Sequence, residues 1–238
     1  MCSSGVEFNP VVEGVHYTFD VAGLYNGVFV MRDRQTGSIW THYDGAVLQG
    51  PLAGTDLNLT FLPLIHTTWA EWLRNYPDSF VLDWYPEFAA RYRDFMRPGQ
   101  AGLGPNFVRT ILNWDDRLAE NEMVLGVALG SETRAYVLDD FPLELSVIAD
   151  RLGNHPVVGF IDPRAGFGLA YSPIVDGEVL KFRVEDESVT DSSGTTWDLR
   201  GRAVAGPLKD SQLVFVTSFV TEWYGWAAYH PETTIFGR

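Results

Sequence analysis

The sequence predicts an α+β protein that is predominantly antiparallel β, made of two internally duplicated β-rich units with short helices and packed with pseudo-twofold symmetry. Three observations lead there. Twenty-three glycines and thirteen prolines in 238 residues cut the chain into short runs, which favours many short strands over long helices. Helical spacing surfaces only in brief segments, such as Trp69, Trp72 and Leu73 at i, i+3 and i+4. Turns and large aromatics also recur in the same order in the two halves of the chain.

Bulk composition bounds the rest. A chain that is 46% hydrophobic and 14% aromatic can bury a sizeable core. Seventeen basic against 31 acidic residues give a net charge of −14, and a surface this acidic repels phosphate backbones, so nucleic acid is not expected as a partner. The single cysteine, Cys2, excludes an intrachain disulfide. No apolar run approaches the ~18–20 residues of a membrane span. No charged leader with an apolar core is visible. Met1-Cys2-Ser3-Ser4-Gly5 runs almost at once into a strand pattern, which reads as a start from which a leader or first strand is missing.

In order along the chain, residues 6–19 read as two strands around Asn9-Pro10 and Glu13-Gly14. Tyr25 to Met31 is a short strand, apolar from Val28 on, expected to be buried on both faces. Thr36-Gly37-Ser38 is a turn, and Trp40–Tyr43 and Ala46–Leu48 form a hairpin across Asp44-Gly45. Leu57 to Leu64 alternates as a strand. Thr68-Trp69-Ala70-Glu71 is a capping box that opens a short helix ended by Asn75-Tyr76-Pro77, after which Ser79–Leu82 returns to strand. Pro86 to Met96 carries Phe88, Tyr92 and Phe95 at helical spacing, and Asp115 to Glu122 is a polar connector. Val124–Ala128 and Arg134–Leu138 form a hairpin across Gly130-Ser131, and Pro156–Ile161 is a buried strand.

The duplication is specific. Phe8-Asn9-Pro10-Val11-Val12-Glu13-Gly14 matches Tyr171-Ser172-Pro173-Ile174-Val175-Asp176-Gly177, and Gly37-Ser38-Ile39-Trp40 matches Gly194-Thr195-Thr196-Trp197. Ala46 to Leu52 matches Ala203 to Leu208 with one gap, and Trp69, Trp72 and Pro77 match Trp223, Trp226 and Pro231 at identical spacing. The units are expected at residues 1–82 (carrying the site) and 123–238 (scaffold), with residues 83–122 as a linker holding one helix. Each Trp-x-x-Trp helix reads as a core plug or, alternatively, as a stacking surface for a ligand. The differences mark the first unit: Cys2 falls opposite Ala165, His66 opposite Val220, and Gly23–Val30 is longer than its counterpart by about five residues.

Candidate chemistry gathers there. Cys2 and His66 read as nucleophile and base or as two ligands of a soft metal such as copper or zinc, with Met31 as a further soft ligand. Against this stand a terminal thiol, a helix-entry histidine and a core methionine. Arg32, Asp33 and Arg34 form a corner that suits a small anionic ligand or a structural salt bridge. Tyr25 and Asn26 orient a substrate or satisfy a turn, and Trp69 joins them as a ligand-binding candidate. No P-loop, dinucleotide fingerprint, Cys-x-x-Cys or Gly-x-Ser-x-Gly occurs.

Together, Cys2-Ser3-Ser4-Gly5, Gly23-Leu24-Tyr25-Asn26, Met31 to Trp40, Gly50-Pro51-Leu52-Ala53-Gly54 and His66-Thr67-Thr68-Trp69 resemble the prokaryotic domain of unknown function 3179 family over nearly the whole chain. The resemblance places Cys2 at the second cysteine of a Cys-Pro-x-Cys-x-Thr-Gly-like segment whose first cysteine would precede Met1, and so implies a chain shortened at its start. It also implies an envelope or extracellular setting and brings no established activity. The functional expectation is a non-catalytic binding or assembly module, possible self-association included. The alternative is a thiol- and imidazole-dependent enzyme or metal-handling protein with a pocket in the first unit.

Overall fold

A computed structural model describes residues 4–82, 85–91 and 103–238. The first half contains β1 (Glu7–Asn9), β2 (Val11–Val12), β3 (Val15–His16), β4 (Phe19–Tyr25), β5 (Val28–Asp33), β6 (Ile39–Thr41), β7 (Val47–Gln49), β8 (Thr60–Leu62) and helix α1 (Trp69–Asn75). A 3-10 turn at Pro86–Arg91 and helix α2 (Pro105–Val108) follow; the predicted helix continues to Met96, and its end lies outside the described residues.

The second half holds β9 (Met123–Leu129), β10 (Glu132–Val137), β11 (Ser146–Leu152), β12 (His155–Asp162), β13 (Phe167–Tyr171), β14 (Ile174–Val175), β15 (Glu178–Val179), β16 (Phe182–Glu185) and β17 (Ser188–Asp191). It ends with β18 (Thr196–Trp197), β19 (Ala203–Ala205), β20 (Phe215–Val216), β21 (Ser218–Glu222), helix α3 (Trp223–Tyr229) and β22 (Thr234–Ile235). Among the described residues, pairing is antiparallel apart from β10 with β22. The protein is thus predominantly antiparallel β with a few short helices. No helix among the described residues is long and apolar enough to cross a membrane.

The same local devices recur in both halves. Sheets β4-β5-β6-β7 and β16-β17-β18-β19 are meanders of the same order. Each encloses a buried aspartate. Asp33 accepts hydrogen bonds from Trp40 Nε1 (2.8 Å), Thr36 Oγ1 (2.8 Å) and Gly37 N (3.2 Å). Asp191 accepts from Trp197 Nε1 (2.9 Å), Ser193 Oγ (2.6 Å) and Thr195 N (3.2 Å). Gly50 and Gly206 sit at φ 108° and 97°, with a Cβ blocked by the backbone of Ser38 and Thr195, so only glycine fits these corners. Short two-strand pairs also correspond: Phe8 opposes Phe61 in β1–β8, and Tyr171 opposes Phe215 in β13–β20.

The longer first-half hairpin has a structural use. Both hairpins turn on two residues of positive φ, Asn26-Gly27 (51° and 78°) and Asp186-Glu187 (48° and 60°), as two-residue turns of this hand require. The first therefore spends its extra residues in its strands, which run seven and six residues against four and four. The extension carries the turn to α3. Asn26 Nδ2 donates to Ala228 O (2.6 Å), Asn26 Oδ1 accepts from Leu112 N (2.8 Å), and Val28 joins Trp223, Trp226, Tyr43 and Ile111 in one core cluster.

Two expectations fail on one cause. Trp223 and Trp226 are 0% exposed, whereas Trp69 and Trp72 of α1 are 49% and 39% exposed, so only the second Trp-x-x-Trp pair plugs a core. Residues 79–82, expected to be strand, pair with nothing among the described residues. Helix α3 is covered by the long β4–β5 hairpin and by sheet β21-β9-β10-β22. At α1, among the described residues, the corresponding hairpin is short and no β9–β10 equivalent stands beside it. A strand without a neighbour to hydrogen-bond does not form.

Candidate functional site

The structure spreads the sequence candidates over several places. Asn26 is buried, and its amide links the hairpin tip to α3 and to residue 112, which is a structural role. Tyr25 packs edge-on against Tyr229, with ring centroids 6.4 Å apart. Met31 packs half-buried against the Trp40 cluster. In the charged corner, Asp33 is consumed by Trp40, Thr36 and Gly37. Burial pulls its carboxyl up, but these hydrogen bonds outweigh it and hold the group below its ordinary 3.8. Arg34 makes a two-point fork with Asp20, Nε to Oδ2 at 2.9 Å and Nη2 to Oδ1 at 2.5 Å, on the exposed surface. Arg32 is exposed.

His66 meets the N-terminal segment. Gly5 N donates to His66 Nε2 at 3.1 Å, and Nε2 also lies 3.0 Å from Gly5 O. That ring nitrogen is therefore occupied by backbone. Cys2 lies outside the described residues. Among the described residues, no three His, Cys, Asp or Glu side chains gather as a metal site.

Two clefts lie where the halves meet; sequence reasoning named Tyr25 and Asn26 at the smaller one and missed the larger. The larger, about 390 Å³, is bordered by Tyr43, Asp44 and Phe61 on one side and Phe219, Trp226 and His230 on the other. The smaller, about 270 Å³, brings Tyr25 and Asn26 together with Asp44, Asn113 and Tyr229. Burial pushes the Asp44 carboxyl up, against the hydrogen bond it receives from Ala46 N, and pushes His230 down to about 4. Both groups are driven toward their neutral forms, and neither cleft is lined by Lys or Arg. This chemistry suits neutral polar groups better than phosphates or carboxylates.

The most distinctive surface is the α1 face. Thr68 caps the helix, its hydroxyl accepting from Glu71 N at 3.2 Å. Trp72 Nε1 donates to Ser79 Oγ (2.7 Å), and its ring meets Tyr76 at 4.5 Å. At α3, Trp226 Nε1 donates to Thr233 Oγ1 (2.9 Å), and its ring meets His230 at 4.1 Å. Each partner sits at the same spacing from its tryptophan, so the two helical modules are built alike. One is sealed and the other open. Phe80, Val81 and Leu82 extend the open face, Phe80 being 97% exposed. The signal for this face was in the sequence: at the spacing that pairs Trp72 with Trp226, Phe80 stands where the second half has the polar Thr234.

A β-rich chain with two buried Asp–Trp bridges and a Trp-x-x-Trp helix in each half is the class of protein that these features define. The chain belongs to the family described as protein of unknown function (DUF3179), which matches residues 1–233. No curated protein and no solved structure matches it.

Proposed function

We propose that this protein is a non-catalytic binding or assembly module whose contact surface is the α1 face of its first unit. In this reading residues 1–82 and 123–238 are duplicated units related by a pseudo-twofold axis, and residues 83–122 link them. The matched meanders, the paired Asp–Trp bridges and the two like-built helical modules support the duplication. The observation that carries the functional reading is the unequal exposure of equivalent tryptophans, 49% and 39% at Trp69 and Trp72 against 0% at Trp223 and Trp226. Large aromatics held ordered in water mark contact surfaces.

The test is binding of the apolar dye anilinonaphthalene sulfonate to the folded chain. Trp69→Ser with Trp72→Ser is expected to remove most of the bound dye, while Trp114→Ser at another exposed tryptophan leaves it. Dye binding that ignores Trp69 and Trp72 sinks the reading.

One observation favours the second reading, a thiol–imidazole site. Gly5 is bonded to His66, and Cys2 is three residues before Gly5, within about 11 Å along an extended chain. Loss of a metal-dependent or pH-dependent thiol signal in both Cys2→Ser and His66→Ala would establish it.

A further inference from the structure

Asp44 stands between the two clefts and borders both. It lies in the turn from β6 to β7, where Gly45 takes φ 68° and a Cβ would meet Leu59 and Phe8 at 3.0 Å, so the turn needs glycine and has one shape. Asp44 Oδ1 accepts hydrogen bonds from Thr41 Oγ1 and from Ala46 N (3.2 Å). An asparagine oxygen would accept the same bonds, so the turn accounts for the position of Asp44 but not for its charge. Among the described residues, no Lys, Arg or His pairs with it.

The smaller cleft surrounds this carboxylate with rings. Tyr25 and Tyr229 line it, crossed at 82° with centroids 6.4 Å apart, and Val47 and Leu48 add an apolar wall. The donors around it are turned onto the protein itself. Asn26 Nδ2 and Asn113 Nδ2 both donate to Ala228 O (2.6 and 2.9 Å), and Tyr229 OH donates to Tyr25 O (3.2 Å). An anion would find no counter-charge, because neither cleft is lined by Lys or Arg. A polyol needs donors from the wall as well as acceptors, and these donors are engaged. An ammonium ion only donates, and both a carboxylate and aromatic rings attract it. Burial pushes the Asp44 carboxyl up, and a cation beside it would bring it back down.

We propose that the smaller cleft binds a compact organic ammonium ion, its nitrogen against the Asp44 carboxylate and its carbon atoms against Tyr25 and Tyr229. At about 270 Å³ the cleft lies just below the ~300–1,000 Å³ of sites for drug-sized ligands, which suits a small amine. The net charge of −14 draws cations toward the surface, and the cleft selects among them. Its walls come from β4–β5, the turn before β7 and β7 itself, Asn113 and the end of α3; neither the N-terminal segment nor α1 contributes. The site is therefore independent of the α1 face.

The probes are choline and n-butylammonium, with neohexanol, in which carbon replaces the charged nitrogen of choline, as the neutral counterpart. Each is titrated into the full chain at low ionic strength, followed by calorimetry and by the NMR shifts of the Asn26 and Asn113 side-chain amides. The expected result is saturable one-to-one binding of both ammonium probes, with those amides shifting and neohexanol weaker by roughly tenfold or more. Asp44→Asn keeps the bonds of the turn and the melting temperature, and ammonium binding falls by roughly tenfold or more. Tyr25→Ser, which leaves the carboxylate in place, also weakens choline. Glu178→Gln, which removes an exposed acid on β15, changes nothing and separates the site from general attraction to an acidic surface. If Asp44→Asn fails to fold, Tyr25→Ser and the amide shifts decide. Neohexanol binding as tightly as choline overturns the proposal. So does ammonium binding that Asp44→Asn and Tyr25→Ser leave intact, an equal loss in Glu178→Gln, or no saturation at millimolar probe.

Discussion

The contrast between the two Trp-x-x-Trp helices yields a quantitative expectation. Trp226 is fully buried and donates to Thr233, so Trp226→Ala removes a large packed ring and leaves a cavity. Truncations of this kind cost about 3–5 kcal/mol. For a chain of this size that lowers Tm by roughly 6–20 °C, at about 2–4 °C per kcal/mol. Trp72→Ala removes the same ring from an exposed module. It forfeits one hydrogen bond to Ser79 and one ring contact with Tyr76, together worth about 1–2 kcal/mol and a drop of roughly 2–8 °C. The assay is differential scanning calorimetry of both variants over a hundredfold range of protein concentration. Equal losses would refute the reasoning, since they would mean that Trp72 is buried in solution. A concentration-dependent Tm for the wild type alone would identify a second copy as its cover.

Three further expectations follow from the same geometry. Gly126→Ala drives a Cβ into the Trp226 ring and is expected to cost about 1–3 kcal/mol or more, read as a lowered urea midpoint, whereas at Gly159 the nearest atom to an added Cβ is 3.9 Å away and Gly159→Ala costs under about 1 kcal/mol. Asp33 and Asp191 are both held below their ordinary 3.8, so their stabilisation is complete above that pH and is lost as pH falls through the lower folded values; Asp33→Asn and Asp191→Asn should be less stable at pH 7 and lose less between pH 4 and 2 in acid titrations followed by circular dichroism. His42 and His230 are pushed by burial from 6.5 to about 4, so each stabilises fully above 6.5 and progressively less as pH falls toward 4; His42→Phe, which also removes a buried Nε2 without a hydrogen-bond partner, should flatten stability across that window, and an unchanged slope would contradict its burial.

Much of the architecture was legible because turn chemistry is local. Glycine at Gly50 and Gly206 and the Thr68 cap are each fixed by a few neighbouring residues and were readable, whereas Asp33 was expected in an anion-binding or salt-bridge corner and its bridge to Trp40 was not read. Burial was not, because it depends on what arrives from elsewhere in the chain. Trp69 and Trp223 begin like-built helices, yet one faces water because, among the described residues, no long hairpin and no β9–β10 pair reach it. Residues 79–82 failed as a strand for the same reason. The unshared stretch Gly23–Met31 was expected to line a site; Tyr25 and Asn26 do border the smaller cleft, but the extension also serves to hold α3. The larger cleft, around Asp44 and His230, was invisible because it joins residues nearly two hundred positions apart.

The open helix has a further consequence for binding. A seven-residue helix is far below the ~12–15 residues at which isolated helices become marginally stable, so α1 needs local reinforcement. It has it: the Thr68 cap, the Trp72–Tyr76 ring contact and the Trp72–Ser79 hydrogen bond together close the module on itself. These are short-range contacts, and they hold the indoles in place before any partner arrives. Under the proposed binding reading, a partner does not have to order the helix, and the entropy lost on binding falls mainly on the partner itself. If instead α1 were fixed only on binding, Ser79→Ala and Thr68→Ala would leave the free chain's stability unchanged. The geometry predicts that each lowers it by about 1 kcal/mol.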